Sequence, residues 1–274
     1  MIITMHGLVT MYSNMKTDIK IANETGYEAL EMLESKILRY LDSGLKLNDL
    51  CLLFKKYSIK PVCINALKNV ERVQPKEREE LLKEAERLCE VAGVLECPTI
   101  QLVPFCGLEG KPWSEVLELT SNNIRDIADI GEKYGVRFQL EPIAWSPIHS
   151  LSQSLEVIKK VNKKNVGLVI DFWHLWAGGE TTPEEVSKLD SSIIYGVHFC
   201  DGIKHMEGTK WIEEELRGYL PGEGKIPINS WVEAVKNTGF DGVYSAELLS
   251  PKHWEWELTE IACEVKKRME KYIY

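Results

Sequence analysis

Short apolar runs alternate along the chain with longer stretches in which apolar residues recur every three or four positions. Runs at 2–5, 29–32, 61–64, 99–103, 136–140, 166–170, 193–198 and 242–246 predict eight strands. They are nearly continuous in apolar character, the pattern of parallel strands buried on both faces. The stretch 76–93 predicts a helix, because Leu81, Leu82, Ala85, Leu88, Cys89 and Ala92 trace one stripe at a 3.6-residue period. Pro75 is placed to start it and Gly93 to end it. Ser114 and Ser152 are predicted N-caps of the next two helices. A final helix is predicted from about 257 to 271.

Eight β-then-α units predict an α/β chain folded as a single (β/α)8 TIM barrel over residues 1–274, a fold that commonly fills ~250 residues. No GxGxxG follows the first strand, which disfavours a doubly wound open sheet. No Pro/Gly/Ser-rich linker and no composition break divides the chain. The longest interval lies between strands seven and eight, and its residues 201–225 form a candidate lid. In such a barrel, chemistry sits where strands end at the C-terminal face.

Composition narrows the function classes. With 42 acidic and 33 basic residues the formal charge is −9, which argues against a nucleic-acid partner. No run approaches the ~20 apolar residues of a membrane span. Residues 1–6 read as a strand, not a signal peptide. The seven cysteines Cys51, Cys63, Cys89, Cys97, Cys106, Cys200 and Cys263 form no CxxC pair. They are expected to be buried thiols in a reducing cytoplasm. All eight tryptophans lie between Trp113 and Trp256, an asymmetry that an even core does not produce.

The strand ends supply the chemistry. Strands five to eight end in Glu141, Asp171, His198 and Glu247. A closed barrel brings these side chains to one mouth, where three carboxylates without a cation would repel and one would stay protonated. A divalent metal resolves the conflict. Three oxygens and one imidazole suit Mn²⁺, Co²⁺ or Mg²⁺, and Zn²⁺ is also compatible.

These elements resemble the xylose isomerase-like barrel superfamily of sugar isomerases and epimerases. Gly26-Tyr27-Glu28-Ala29-Leu30-Glu31 is similar to its second strand. Asp171-Phe172-Trp173-His174 is similar to its Asp-x-x-His element, and His198-Phe199-Cys200-Asp201 to its His-x-x-Asp/Glu element. Pro221-Gly222-Glu223-Gly224 resembles its Pro-Gly-x-Gly turn. Asn65-Ala66-Leu67, 165–171 and Glu247-Leu248-Leu249-Ser250-Pro251 look most like the 2-keto-myo-inositol (inosose) isomerase branch, although His6 stands where that branch is expected to carry a small amide. The resemblance implies that Glu141, Asp171, His198 and Glu247 bind one divalent cation, and that Glu141 and Glu247 double as acid and base. That division of labour suits proton transfer beside a metal-polarised carbonyl through an enediolate.

Among the remaining candidates, His174 and Arg217 are expected to hold substrate oxygens, with His6, Asn65 and Trp173 as further substrate contacts. Glu31 is placed to face the same mouth, and Asp201 to orient a ligand from behind. His149, His205 and His253 are expected in loops. Trp113, Trp145, Trp173, Trp176, Trp211, Trp254 and Trp256 follow strand ends, where rings can cover a sugar; Trp231 is expected in the core. The expected protein is thus a cytoplasmic isomerase or epimerase of a small ketose or cyclic polyol ketone, with a small-molecule partner and a possible homodimer. An inosose dehydratase, a metal-dependent endonuclease at abasic DNA and a non-catalytic binding protein are the alternatives.

Overall fold

The computed structural model describes residues 1–105 and 107–274. Cys106, counted among the thiols above, lies outside the described residues. Eight strands close into a barrel in sequence order, each parallel to its neighbours. They are β1 (Ile2–His6), β2 (Ala29–Leu33), β3 (Lys60–Lys68), β4 (Thr99–Val103), β5 (Arg137–Leu140), β6 (Val166–Asp171), β7 (Ile194–Phe199) and β8 (Val243–Ala246). Each is followed by at least one helix. The apolar sequence runs are fully buried in β2, β4, β6 and β7, as strands covered on both faces must be.

The helices match the predicted stripes, but some ends differ. The helix Pro75–Leu95 starts at Pro75 but runs past Gly93 and closes on Glu96 in the left-handed conformation. Gly93 sits inside it, where an added Cβ would make only ordinary van der Waals contact with Tyr134, at 3.7 Å. The N-cap of Trp113–Glu132 is Pro112, not Ser114. That of Leu151–Val161 is Ser150, not Ser152, because Ser150 and Gln153 satisfy each other's backbone N–H groups in a capping box. His253 belongs to the short helix Pro251–Trp254 and is buried. Four of the described cysteines are buried, but Cys51 is half-buried and Cys263 exposed. Trp231 is wholly buried, as its helical stripe requires.

Register places the strand ends at one level. His6 pairs with Glu31, and Asp171 pairs with His198. Glu141 and Glu247 stand one residue past β5 and β8, and each still donates its backbone N–H to the preceding strand, to Leu102 and Phe199 respectively, at 3.0 and 3.1 Å. Register shifts at Leu30/Glu31 and Leu168/Val169 re-aim the side chains that follow them.

Candidate metal centre and active site

Glu141, Asp171, His198 and Glu247 meet at the C-terminal mouth. Each is buried, and their ligand atoms all lie within 4.8 Å of one another. His198 Nδ1 faces Glu141 Oε1 at 2.8 Å, Glu247 Oε2 at 3.2 Å and Asp171 Oδ2 at 3.6 Å. The four residues come from four consecutive strands, so no local segment holds them together; closure of the sheet does.

Arg217 joins the cluster from the strand seven to eight crossover. Its NH2 donates to Asp171 Oδ2 at 2.9 Å and to Glu247 Oε2. Its NH1 reaches Glu213 Oε1 at 2.8 Å and His174 Nε2 at 2.9 Å. His174 is anchored by Ala144 N–H, which donates to its Nδ1 at 3.2 Å. Burial pushes the His174 imidazole down to about 3, with Asp171 opposing and Arg217 assisting.

Environment separates the two glutamates. Burial lifts Glu141 to about 8, against the pull of His198. Burial acts on Glu247 too, but Arg217 and His198 overcome it and hold that carboxyl well below its ordinary value. Asp171 is lowered in the same way: burial pushes it up, but Arg217, His174 and His198 together outweigh burial. Gln101 fixes Glu141 from below: its amide donates to Glu141 Oε2 at 2.9 Å, and Gln139 donates to Gln101 Oε1 at 2.9 Å.

This donor set fits a divalent cation. Glu141 meets only a neutral amide and one imidazole through its two oxygens, while Arg217 serves Asp171 and Glu247. Three buried carboxylates beside a single imidazole nitrogen form the oxygen-rich set that a divalent ion prefers.

A cavity of about 170 Å³ opens above the cluster, lined among others by Asn65, Lys68, Glu141, His174, Glu213, Arg217 and Glu247. Asn65, His174 and Arg217 therefore reach the place expected of substrate contacts. His6 and Trp173 do not line the cavity. His6 is fully enclosed between Glu31 and Glu247, with its Nε2 3.5 and 3.7 Å from their carboxylates. Trp173 is buried beneath Trp145 and Trp211, and its indole N–H donates to Ile203 O at 3.0 Å. It supports the wall from behind. Asp201 was expected to orient a ligand; instead its carboxylate accepts N–H bonds from Gly202, Gly222, Gly224 and Ile226 at 2.7 to 3.2 Å. It clamps the Pro-Gly-x-Gly turn.

Of the other tryptophans, Trp145 lies against His174, with ring centres 5.3 Å apart, and Trp211 packs on Trp145. Trp113 ties its own helix to Leu151–Val161 by donating to Glu156, Trp254 pins the loop after β1 by donating to Leu8 O, and Trp256 meets His253 edge-on. Lys204 lies over the Trp176 ring. Sequence reasoning missed Glu213 and Gln101. A glutamate four residues before Arg217 is a readable i,i+4 signal; the inward direction of Gln101 in β4 is set by barrel register.

Inosose isomerases of Bacillus velezensis and Bacillus subtilis are 27% and 28% identical to this chain, over 94% and 93% of it and 91% of each relative's own length. A crystal structure of IolI protein with a bound zinc atom superposes with a TM-score of 0.93 at 27% identity, covering 100% of this chain and 98% of that one. A D-psicose 3-epimerase from Clostridium cellulolyticum shares the fold, with a TM-score of 0.79 at 17% identity over 100% of this chain and 99% of that one. The family model for the xylose isomerase-like TIM barrel matches residues 19–269, and the chain belongs to that family.

Proposed function

We propose that this chain is a divalent-metal-dependent isomerase or epimerase of a small ketose or cyclic polyol ketone, with an inosose as the first substrate to try. The observation that carries the reading is the meeting of Glu141, Asp171, His198 and Glu247 beneath a cavity walled by polar groups. The inosose isomerases among its relatives, and the zinc atom of the IolI structure, favour the same chemistry.

In this reading the four residues hold one cation. When bound, it supplies polarisation of the substrate carbonyl and eases the negative charge that develops as the neighbouring carbon gives up its proton. The two glutamates move that proton. Glu247, ionised by Arg217 and His198, is the base; its Oε1 lies 3.7 Å from His6 Nε2. Glu141, whose carboxyl burial raises while no cation is bound, is the partner that returns the proton. Pairs of carboxyls whose environments drive them apart are the usual means of dividing acid from base. His174 and Arg217 hold substrate oxygens from the β6 and lid sides, and Asn65 from β3. Trp145 and Trp211 exclude water above them.

The test is turnover by metal-stripped protein supplied with Zn²⁺, Mn²⁺, Co²⁺ or Mg²⁺ and a panel of inososes and ketoses. Glu247→Gln is expected to lose at least about 100-fold in kcat, the lower end of the usual contribution of a positioned acid or base of about 10²–10⁴. A product that absorbs in the near-ultraviolet as an unsaturated diketone would replace isomerisation with dehydration on the same site. Full activity in Glu247→Gln would remove Glu247 from the chemistry.

A further inference from the structure

Glu31 is the middle residue of β2 and is 1% exposed. A carboxylate in that position is costly unless it is hydrogen-bonded. Its Oε1 lies 3.1 Å from His198 Nε2, 3.2 Å from Asn65 Nδ2 and 3.5 Å from His6 Nε2. Arg217 does not serve it; that guanidinium goes to Asp171, Glu247 and Glu213. Glu31 also lies outside the cavity wall, so it is not placed to touch substrate.

His198 is strung between two acceptor groups. Its Nδ1 points to Glu141, Glu247 and Asp171, and its Nε2 points to Glu31. To ligate a cation through Nδ1, the ring must carry its hydrogen on Nε2. We infer that Glu31 is the positioning residue of the centre: its Oε1 accepts the Nε2–H of His198 and so fixes the ring in the tautomer and orientation that leave Nδ1 to the cation. The inference rests on the metal-centre reading above. His6 and the Asn65 amide hold Glu31 in turn. Leu8 N–H donates to His6 Nδ1 at 3.0 Å, which places the His6 hydrogen on Nε2, between Glu31 Oε1 at 3.5 Å and the Asn65 amide nitrogen at 3.1 Å.

A rival use of the same atoms is a second cation held by His6, Glu31 and His198, whose donor atoms also lie within 4.8 Å of one another. The hydrogen on His6 Nε2 opposes it, because a nitrogen that donates cannot ligate.

The test is zinc affinity and stoichiometry by competition with a chelator, together with long-range ¹H–¹⁵N spectra of the histidine rings. Wild type, Glu31→Gln, Glu31→Ala and Asp171→Asn are compared. Wild type is expected to bind one zinc, with His198 as the Nε2–H tautomer. Glu31→Ala is expected to weaken binding about 10- to 100-fold, the usual loss on removing such an outer partner, and to give a mixed tautomer. Glu31→Gln, whose amide oxygen still accepts, is expected to lose less. Unchanged affinity and tautomer in Glu31→Ala, or two zinc ions in wild type and one in the variant, would overturn the inference. If Glu31→Ala does not fold, the spectrum of zinc-loaded wild type decides: a hydrogen on His198 Nδ1 overturns it. Should Asp171→Asn bind zinc as wild type does, the metal centre itself fails. Should Asp171→Asn lose zinc while Glu31→Ala keeps it, only the role of Glu31 fails.

Discussion

Glu141 and Glu247 are the same amino acid under opposite influence. Glu141 has an amide and an imidazole beside it, and burial dominates; Glu247 has a guanidinium and an imidazole, which together outweigh burial. The sign of the pH effect follows. The folded pKa of Glu141 lies above the ordinary value, so its protonation stabilises the chelated protein fully below about pH 4.5, and that contribution is lost as pH rises through about 8. His198 is also raised, with Glu247 and Glu31 overcoming the opposing effect of burial. A cation must displace both protons. Metal uptake at pH 7 is therefore expected to release roughly two protons and to tighten as pH rises. Calorimetry in buffers of different ionisation heat measures this, and a proton-independent uptake would contradict it. A second prediction concerns the buried pair Asp18–Lys36, whose Nζ–Oδ2 separation is 2.8 Å. Lys36 also donates to Gly7 O and Thr10 O, tying down the loop after β1. Lys36→Met leaves Asp18 buried without its cation and is expected to cost about 3–5 kcal/mol in urea unfolding. Asp18→Asn combined with Lys36→Met should recover part of that loss; no recovery would place the cost elsewhere.

The strands were legible because parallel strands buried on both faces need apolar residues at almost every position, and the four polar residues that end them stand out against that background. Helix ends were less so. Ser114 and Ser152 have the right chemistry for a cap, but Ser150 has Gln153 three residues on, and that reciprocal pair decides the boundary. Register was not legible at all: the shift at Leu30/Glu31 is a property of paired strands. Glu31 can be placed at the mouth from its position in the second strand, but its contact with His198, the inward direction of Gln101, and the enclosure of His6 and Trp173 appear only once the barrel closes. Asp201 shows the same limit. Its place after His198 suggested a ligand's helper, but the crossover folds back so that four backbone N–H groups converge on it. Asp201→Ala is expected to destabilise the fold by about 3 kcal/mol while leaving zinc affinity within threefold. A large loss of zinc affinity at unchanged stability would return Asp201 to the metal centre.

At the scale of the whole molecule, the acidic surplus and the mouth belong to different layers. Three of the acids are committed to the cluster, and those of the segment 76–90 lie on the outer helix face that its stripe pattern predicts. A net charge of −9 makes the surface unfavourable for phosphates, so no salt-sensitive binding to abasic DNA is expected in a filter or polarisation assay; its appearance would favour the nuclease alternative. The tryptophan bias also finds a partial cause. The second half of the barrel carries Glu141, Asp171, His198 and Glu247, and Trp145, Trp173 and Trp211 pack as one group beside His174. The claim on which the rest depends is that the four strand ends hold a cation used to move a proton beside a carbonyl. It is tested most directly by proton NMR of an inosose in D₂O with metal-stripped protein, before and after one equivalent of divalent cation. The account predicts no change before addition. After it, an isomeric ketone should form that carries solvent deuterium on the carbon next to the carbonyl. Conversion that ignores the cation, or no cation-dependent exchange with any inosose or ketose of the panel, would contradict it.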